Sequence, residues 1–117
     1  MTPNKEDYLK CIYEIGMEFP KVTNKEIAAR MQVSPPAVTE MIKRMQAENL
    51  ILKDKKKGYL VTDIGLKLVS ELYRKHRLIE VFLVHHLDYT SDQIHEEAEV
   101  LEHTVSDFFV ERLESML

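Results

Sequence analysis

The chain has 117 residues, 44% hydrophobic and 31% charged, with a formal net charge of -4. That length holds a real core for one domain or slightly more, and no run is apolar enough to span a membrane. The start MTPNKEDY lacks the pattern of a signal peptide, so a cytoplasmic protein is expected, and the lone Cys11 excludes an internal disulfide.

The charge is divided along the chain. Residues 21–60 hold nine Lys or Arg against four acids, whereas residues 88–117 hold nine acids against Arg112 alone. A basic early part suits phosphates, and an acidic late part suits cations or plain solvent.

A helical pattern opens after Thr2-Pro3, a cap and a proline at the first helical position, and runs to about Glu18. Cys11 falls on the apolar repeat of Tyr8, Ile12 and Ile15, which gives it the role of a small buried residue. Thr23-Asn24-Lys25-Glu26 is a capping box that starts a short helix with Ile27, Ala28 and Met31 inward. After a break at Gln32-Val33, Ser34 caps a further helix with Pro35 and Pro36 in its first turn, running to about Asn49. Residues 50–53 and 59–62 then read as strands around the loop Asp54-Lys55-Lys56-Lys57-Gly58. Helix, turn, helix and basic hairpin together specify a winged helix-turn-helix.

In that arrangement the start of the second helix faces the bases. Ser34 heads the set, Pro35, Pro36 and Ala37 suit thymine methyls, Thr39 could reach a base or a phosphate, and Glu40 could accept from a cytosine amino group. Lys43 and Arg44 lie toward the backbone, while Lys55, Lys56 and Lys57 would neutralise phosphates without reading sequence. With few groups that read bases by hydrogen bonds, part of the specificity is expected from apolar contacts and DNA shape.

Thr62 caps a long helix from about Asp63 to His86, with Leu68, Val69, Leu72, Ile79 and Leu83 as its apolar stripe. His76 and Glu80 fall within that stripe, where a carboxylate is costly unless paired. A salt bridge to Arg74, Lys75 or Arg77 would satisfy it, and so would a metal. Asp88-Tyr89-Thr90 break the helix, and Thr90 with Gln93 starts another whose apolar stripe is Ile94, Ala98, Leu101 and Val105. Beside that stripe His95, Glu99, Glu102 and His103 share an arc of roughly 100 degrees.

Carboxylates and histidines at spacings of three and four are how helical bundles hold metals, although a solvated face has the same spacing. Oxygen and imidazole donors without thiolate favour Mn2+ or Fe2+, with Zn2+ or Cd2+ able to substitute in vitro. No phosphate loop or nucleophile elbow accompanies them, so neither an enzyme nor a small organic substrate is expected. A metal-independent winged-helix regulator and, further off, a metal-dependent hydrolase are the alternatives.

The segments EDYLKCIYE, VSPPAVTEMIKRM, GYLVTDIG, RKHRLIE and IHEEAEVLEHTVSD together resemble the diphtheria toxin repressor family of metal-dependent transcriptional repressors. Within it they are most similar to the manganese-responsive regulators of manganese transport, and the resemblance covers essentially the whole chain. It implies a mainly α protein: a winged helix-turn-helix with a small β-hairpin wing at residues 1–62, then an α-helical metal-binding and dimerisation domain at residues 63–117. It implies Asp7, Glu99, Glu102 and His103 as ligands of the site that controls DNA binding, and His76, Glu80 and His95 as a neighbouring site.

Glu99 stands where iron-responsive members have cysteine and Asp7 where they have methionine, and both departures point to manganese. Lys10 replaces a glutamate of the binuclear manganese regulators, which implies two separated sites. Longer members continue into a further ligand segment and an SH3-like domain, so a chain ending at ERLESML reads as truncated. A homodimer joined through Phe108, Phe109, Leu113 and Met116 would set two recognition helices on a palindromic double-stranded operator.

Overall fold

The computed structural model describes residues 4–117, and the expected Thr2-Pro3 start lies outside them. The first helix, α1, runs Lys5–Glu18 and is capped by Asn4. The Asn4 side chain accepts the Asp7 N–H at 3.0 Å, and the Asp7 carboxylate accepts the Asn4 N–H at 3.0 Å. This reciprocal box satisfies two backbone amides at once and starts the helix after Asn4.

Two compact units divide the chain, residues 1–69 and residues 70–117. In the first, α2 spans Asn24–Met31, with the Thr23 hydroxyl accepting the Glu26 N–H at 3.2 Å. The expected return bond from Glu26 gives way to an ion pair one turn along the helix, to the Arg30 guanidinium at 3.2 Å. Gln32, at φ +55, ends α2. Ser34 then caps α3 (Pro35–Ala47), its hydroxyl oxygen accepting the Ala37 N–H at 3.3 Å. Asn49, at φ +60, lies beyond the helix end instead of within it.

The strands β1 (Ile51–Asp54) and β2 (Gly58–Val61) pair antiparallel, Ile51 opposite Val61 and Asp54 opposite Gly58. Apolar residues from α1, α2, α3 and the hairpin close one core, in which Leu9, Ile12, Ile15, Ile27, Val38 and Met45 are fully enclosed. Cys11 lies in it, and burial pushes its thiol up to about 11, so at neutral pH it is an uncharged filler.

The long helix α4 (Asp63–Leu87) starts in the first unit, where the Thr62 hydroxyl oxygen accepts the Gly65 N–H at 3.1 Å. The second unit holds the rest of α4 with α5 (Ser91–Glu102) and α6 (Asp107–Met116). Val69, Leu72, Ile79 and Leu83 are buried, but Leu68 is 38% exposed because it falls on the flank of that stripe. Asp88, at φ +57, follows the end of α4, and Thr90 with Gln93 forms the capping box of α5.

Ile79, Leu83, Ala98 and Leu113 make the core of this unit, with Ile94, Leu101 and Val105 packed against it. Leu113 is therefore an interior residue and not the dimer contact expected of it, because α6 turns that edge onto α4 and α5 residues of the core. Phe108, Phe109 and Met116 stay exposed. The sequence pattern does not separate α6 from α5; Ser106 caps it by accepting the Phe109 N–H at 3.1 Å. Among the described residues no helix is long and apolar enough to cross a membrane.

Candidate metal centre and nucleic-acid interface

In the second unit α4 contributes His76 and Glu80, while α5 and its C-cap contribute His95, Glu99, Glu102 and His103. His76 stands between two carboxylates: its Nδ1 is 3.1 Å from Glu102 Oε2 and its Nε2 is 3.2 Å from Glu80 Oε2. Its ring meets that of His95 edge-on, with centroids 5.4 Å apart. The second Glu102 oxygen lies 3.5 Å from His103 Nε2, and His95 Nε2 lies 3.6 Å from Glu99. Arg74 is taken up by Glu71 and Glu114, and Lys75 reaches Asp107 at 3.7 Å, so the partner of Glu80 is the histidine one turn before it.

Donor atoms of His76, Glu80 and His95 fall within 4.8 Å of one another, and so do those of His76, Glu99 and Glu102. The two groups meet at His76. Burial is graded across them: Glu102 is 1% exposed, the His103 side chain is 11% exposed, Glu99 is half-buried, and the His95 side chain is 70% exposed. A carboxylate buried that deeply is stable only beside N–H donors or positive charge. Its neighbours are imidazole nitrogens and carboxylate oxygens without sulfur, a donor set that fits Mn2+ or Fe2+. Asp7 lies in the first turn of α1, in the other unit, where its carboxylate takes part in the helix cap. Lys10, one turn later, is packed down to 9% exposure.

In the first unit Pro35, Pro36, Thr39, Glu40, Lys43 and Arg44 line one shallow concavity along α3. The Thr39 hydroxyl is already engaged: it donates to the Pro35 carbonyl at 3.2 Å and accepts from the Asn24 side-chain amide at 3.3 Å. Asn24 was invisible as a site residue in the sequence, because its partner lies fifteen positions away on another helix.

In the wing the Asp54 carboxylate accepts the backbone N–H groups of Lys57 at 2.8 Å and Lys56 at 2.9 Å, and these bonds hold its carboxyl below the usual aspartate range. Lys55, Lys56 and Lys57 are exposed around that turn. Lys53, absent from the expected set, adds another exposed cation on the wing, 5.9 Å from the Tyr59 ring centroid. Replacing the three loop lysines singly with Ala should leave any sequence preference intact and reduce the slope of log K against log salt by about 0.9 for each phosphate left without its lysine. An unchanged slope in all three variants would take the wing off the DNA.

Residues 1–59 match the family model described as the iron dependent repressor N-terminal DNA binding domain, and residues 62–117 match the iron dependent repressor metal binding and dimerisation domain. The chain belongs to the iron-dependent repressor family. This family member is 32% identical over 117 residues to the diphtheria toxin repressor of Corynebacterium diphtheriae, covering 100% of this chain and 52% of that protein. It is 29% identical over 112 residues to the transcriptional regulator MntR of Bacillus subtilis, covering 96% of this chain and 78% of MntR.

Among solved structures, ScaR with bound Zn2+ is 75% identical with a TM-score of 0.91, over 97% of this chain and 53% of that one. The manganese regulator SloR is 66% identical with a TM-score of 0.85, over 99% of this chain and 54% of that one. ScaR is described as a manganese-activated repressor and has also been solved with Cd2+. This iron-dependent repressor chain thus spans about half the length of the diphtheria toxin repressor and of the ScaR and SloR chains. Of these relatives, the curated ones carry the names of a repressor and a transcriptional regulator.

Proposed function

We propose that the chain carries the operator-reading and cation-sensing parts of a manganese-responsive transcriptional repressor of the cytoplasm. Residues 1–62 read double-stranded DNA through α3 and the wing, and residues 63–117 hold Mn2+ and join two copies. The observation that carries this reading is Glu102, a carboxylate 1% exposed with imidazoles of His76 and His103 beside its two oxygens, in a segment matching a metal-binding domain.

A bound divalent cation supplies the positive charge that lets such carboxylates stay together out of water. On the chain's side Glu99, Glu102 and His103 belong to the controlling ligand set, and His76, Glu80 and His95 make its neighbour. Likeness to ScaR and SloR supports manganese, and the same donors accept Fe2+, or Zn2+ and Cd2+ in vitro. Filling these ligands favours whichever arrangement of the chain holds the cation more tightly. That is a differential affinity for one arrangement of the chain, which is all a switch requires. Two copies joined through exposed residues such as Phe108, Phe109 and Met116 then present two recognition helices to a palindromic operator of manganese-uptake genes.

Fluorescence anisotropy on a palindromic operator from a manganese-transport promoter tests this at fixed salt, with a Mn2+ titration and an EDTA control. Affinity should rise about 5- to 150-fold with Mn2+ and fall back with EDTA. Equal affinity throughout would leave a metal-independent winged-helix regulator.

A further inference from the structure

The DNA-facing start of α3 is poor in hydrogen-bonding groups for reasons that lie in its own residues. Pro35 and Pro36 have no amide hydrogen, the Ala37 N–H is held by the Ser34 hydroxyl oxygen at 3.3 Å, and the Val38 N–H by the Ser34 carbonyl at 3.2 Å. This helix start therefore presents ring carbons where most present amides. One turn later the Thr39 hydroxyl is bonded twice, to the Pro35 carbonyl at 3.2 Å and from the Asn24 amide at 3.3 Å. With its hydrogen given away and one of its two oxygen lone pairs filled, Thr39 can offer a groove its methyl and a single acceptor lone pair, but no donor.

Glu40 differs from all of these. It is exposed on the same concavity and has no hydrogen bond or ion pair to another described residue. It is also an anion among the cations Lys43 and Arg44, so it opposes every contact with phosphate. A free carboxylate on such a surface favours DNA only where a base edge offers it a donor.

We propose that Glu40 is the hydrogen-bonding base reader of the first two turns of α3, accepting the N4 amino group of a cytosine, and that Asn24 is the positioning residue that holds the Thr39 hydroxyl. Cytosine alone offers the major groove a donor without an adjacent acceptor. Guanine presents N7 and O6, thymine presents O4, and adenine sets N7 beside its amino group, so each turns a lone pair toward the carboxylate. Glu40 thus acts twice: it selects a C·G pair in each half-site and it weakens binding to all other DNA. This inference rests on residues 1–62 being the DNA-reading half.

The test is selection from a duplex library with both half-sites randomised, using the full chain with saturating Mn2+, followed by sequencing of the bound pool. The wild-type chain should enrich cytosine at one position of each half-site. Glu40→Gln should reduce that preference about fivefold or more, raise adenine at the same position because a carboxamide suits its edge, and tighten binding to unrelated DNA. Asn24→Ala, which removes the donor to the Thr39 hydroxyl oxygen, should change the preference at a neighbouring position by opening that oxygen as an acceptor. Thermal unfolding of each variant confirms that it is folded. Glu40→Gln selecting the wild-type motif at unchanged strength, or Asn24→Ala selecting it unaltered, would overturn the proposal. A wild-type chain that selects no motif with or without Mn2+ would instead bring down the DNA-binding reading, and the proposal with it.

Discussion

Glu102→Gln is expected to yield a folded protein whose operator binding no longer responds to manganese. The substitution keeps the shape of a side chain that is 1% exposed, so it opens no cavity. The carboxamide oxygen can still face His76 Nδ1, now 3.1 Å from Glu102 Oε2. A neutral amide also costs less to bury than a carboxylate, so the metal-free variant should unfold at the wild-type temperature or above it. What disappears is the anionic oxygen, the donor that a hard divalent cation needs most.

Removing a group that merely supports a ligand costs about 10- to 100-fold in metal affinity, so removing the ligand charge should cost Mn2+ affinity about 100-fold or more. Calorimetric Mn2+ titration of the isolated protein reads that loss directly, and operator anisotropy reads its consequence. If Mn2+ still tightens operator binding in the variant as it does in wild type, Glu102 is outside the control set. If the metal-free variant instead unfolds far below wild type, its carboxylate is a structural partner of the two imidazoles and the manganese reading loses the observation that carries it.

The parts of this architecture that were legible in the sequence are those set by neighbours in the chain. Ser34 with two prolines, Thr23, Thr62 and the Thr90–Gln93 box each mark a helix start, because a cap needs only residues within one turn. The Asn4–Asp7 box at the start of α1 is equally local, since its two reciprocal bonds satisfy amides within one turn.

Spacing also put His95, Glu99, Glu102 and His103 on one stripe. It could not say which edge of that stripe packs inward, and the structure buries Glu102 while leaving His95 in solvent. That choice is made by α4, which sets His76 against Glu102 across 26 positions of sequence. Leu113 and the Asn24–Thr39 contact were hidden likewise: each depends on a second helix whose face no local pattern specifies.

The wing offers the other large effect, because its backbone passes directly against Val22 at Gly58. Gly58 has φ +78 and sits where a Cβ would come within 2.0 Å of the Val22 carbonyl oxygen and 2.9 Å of its carbon. That carbonyl accepts the Tyr59 N–H at 3.3 Å, and the Val22 N–H donates to the Lys57 carbonyl at 2.9 Å. Ala at this position must therefore accept a left-handed backbone and push away the residue that anchors the hairpin.

The backbone term costs about 1–2 kcal/mol and each broken hydrogen bond about 1 kcal/mol, so Gly58→Ala should destabilise the first unit by about 3 kcal/mol or more. The collision is with backbone, which has no rotamer by which to yield. Thermal unfolding should show the loss, and operator affinity should fall with a shallower salt dependence as the lysines of residues 55–57 leave their fixed positions. Calorimetric Mn2+ binding by ligands of residues 76–103 should survive at temperatures where the variant remains folded. A change in stability below about 0.5 kcal/mol, the size of an ordinary surface substitution, would mean that the hairpin does not rest on Val22.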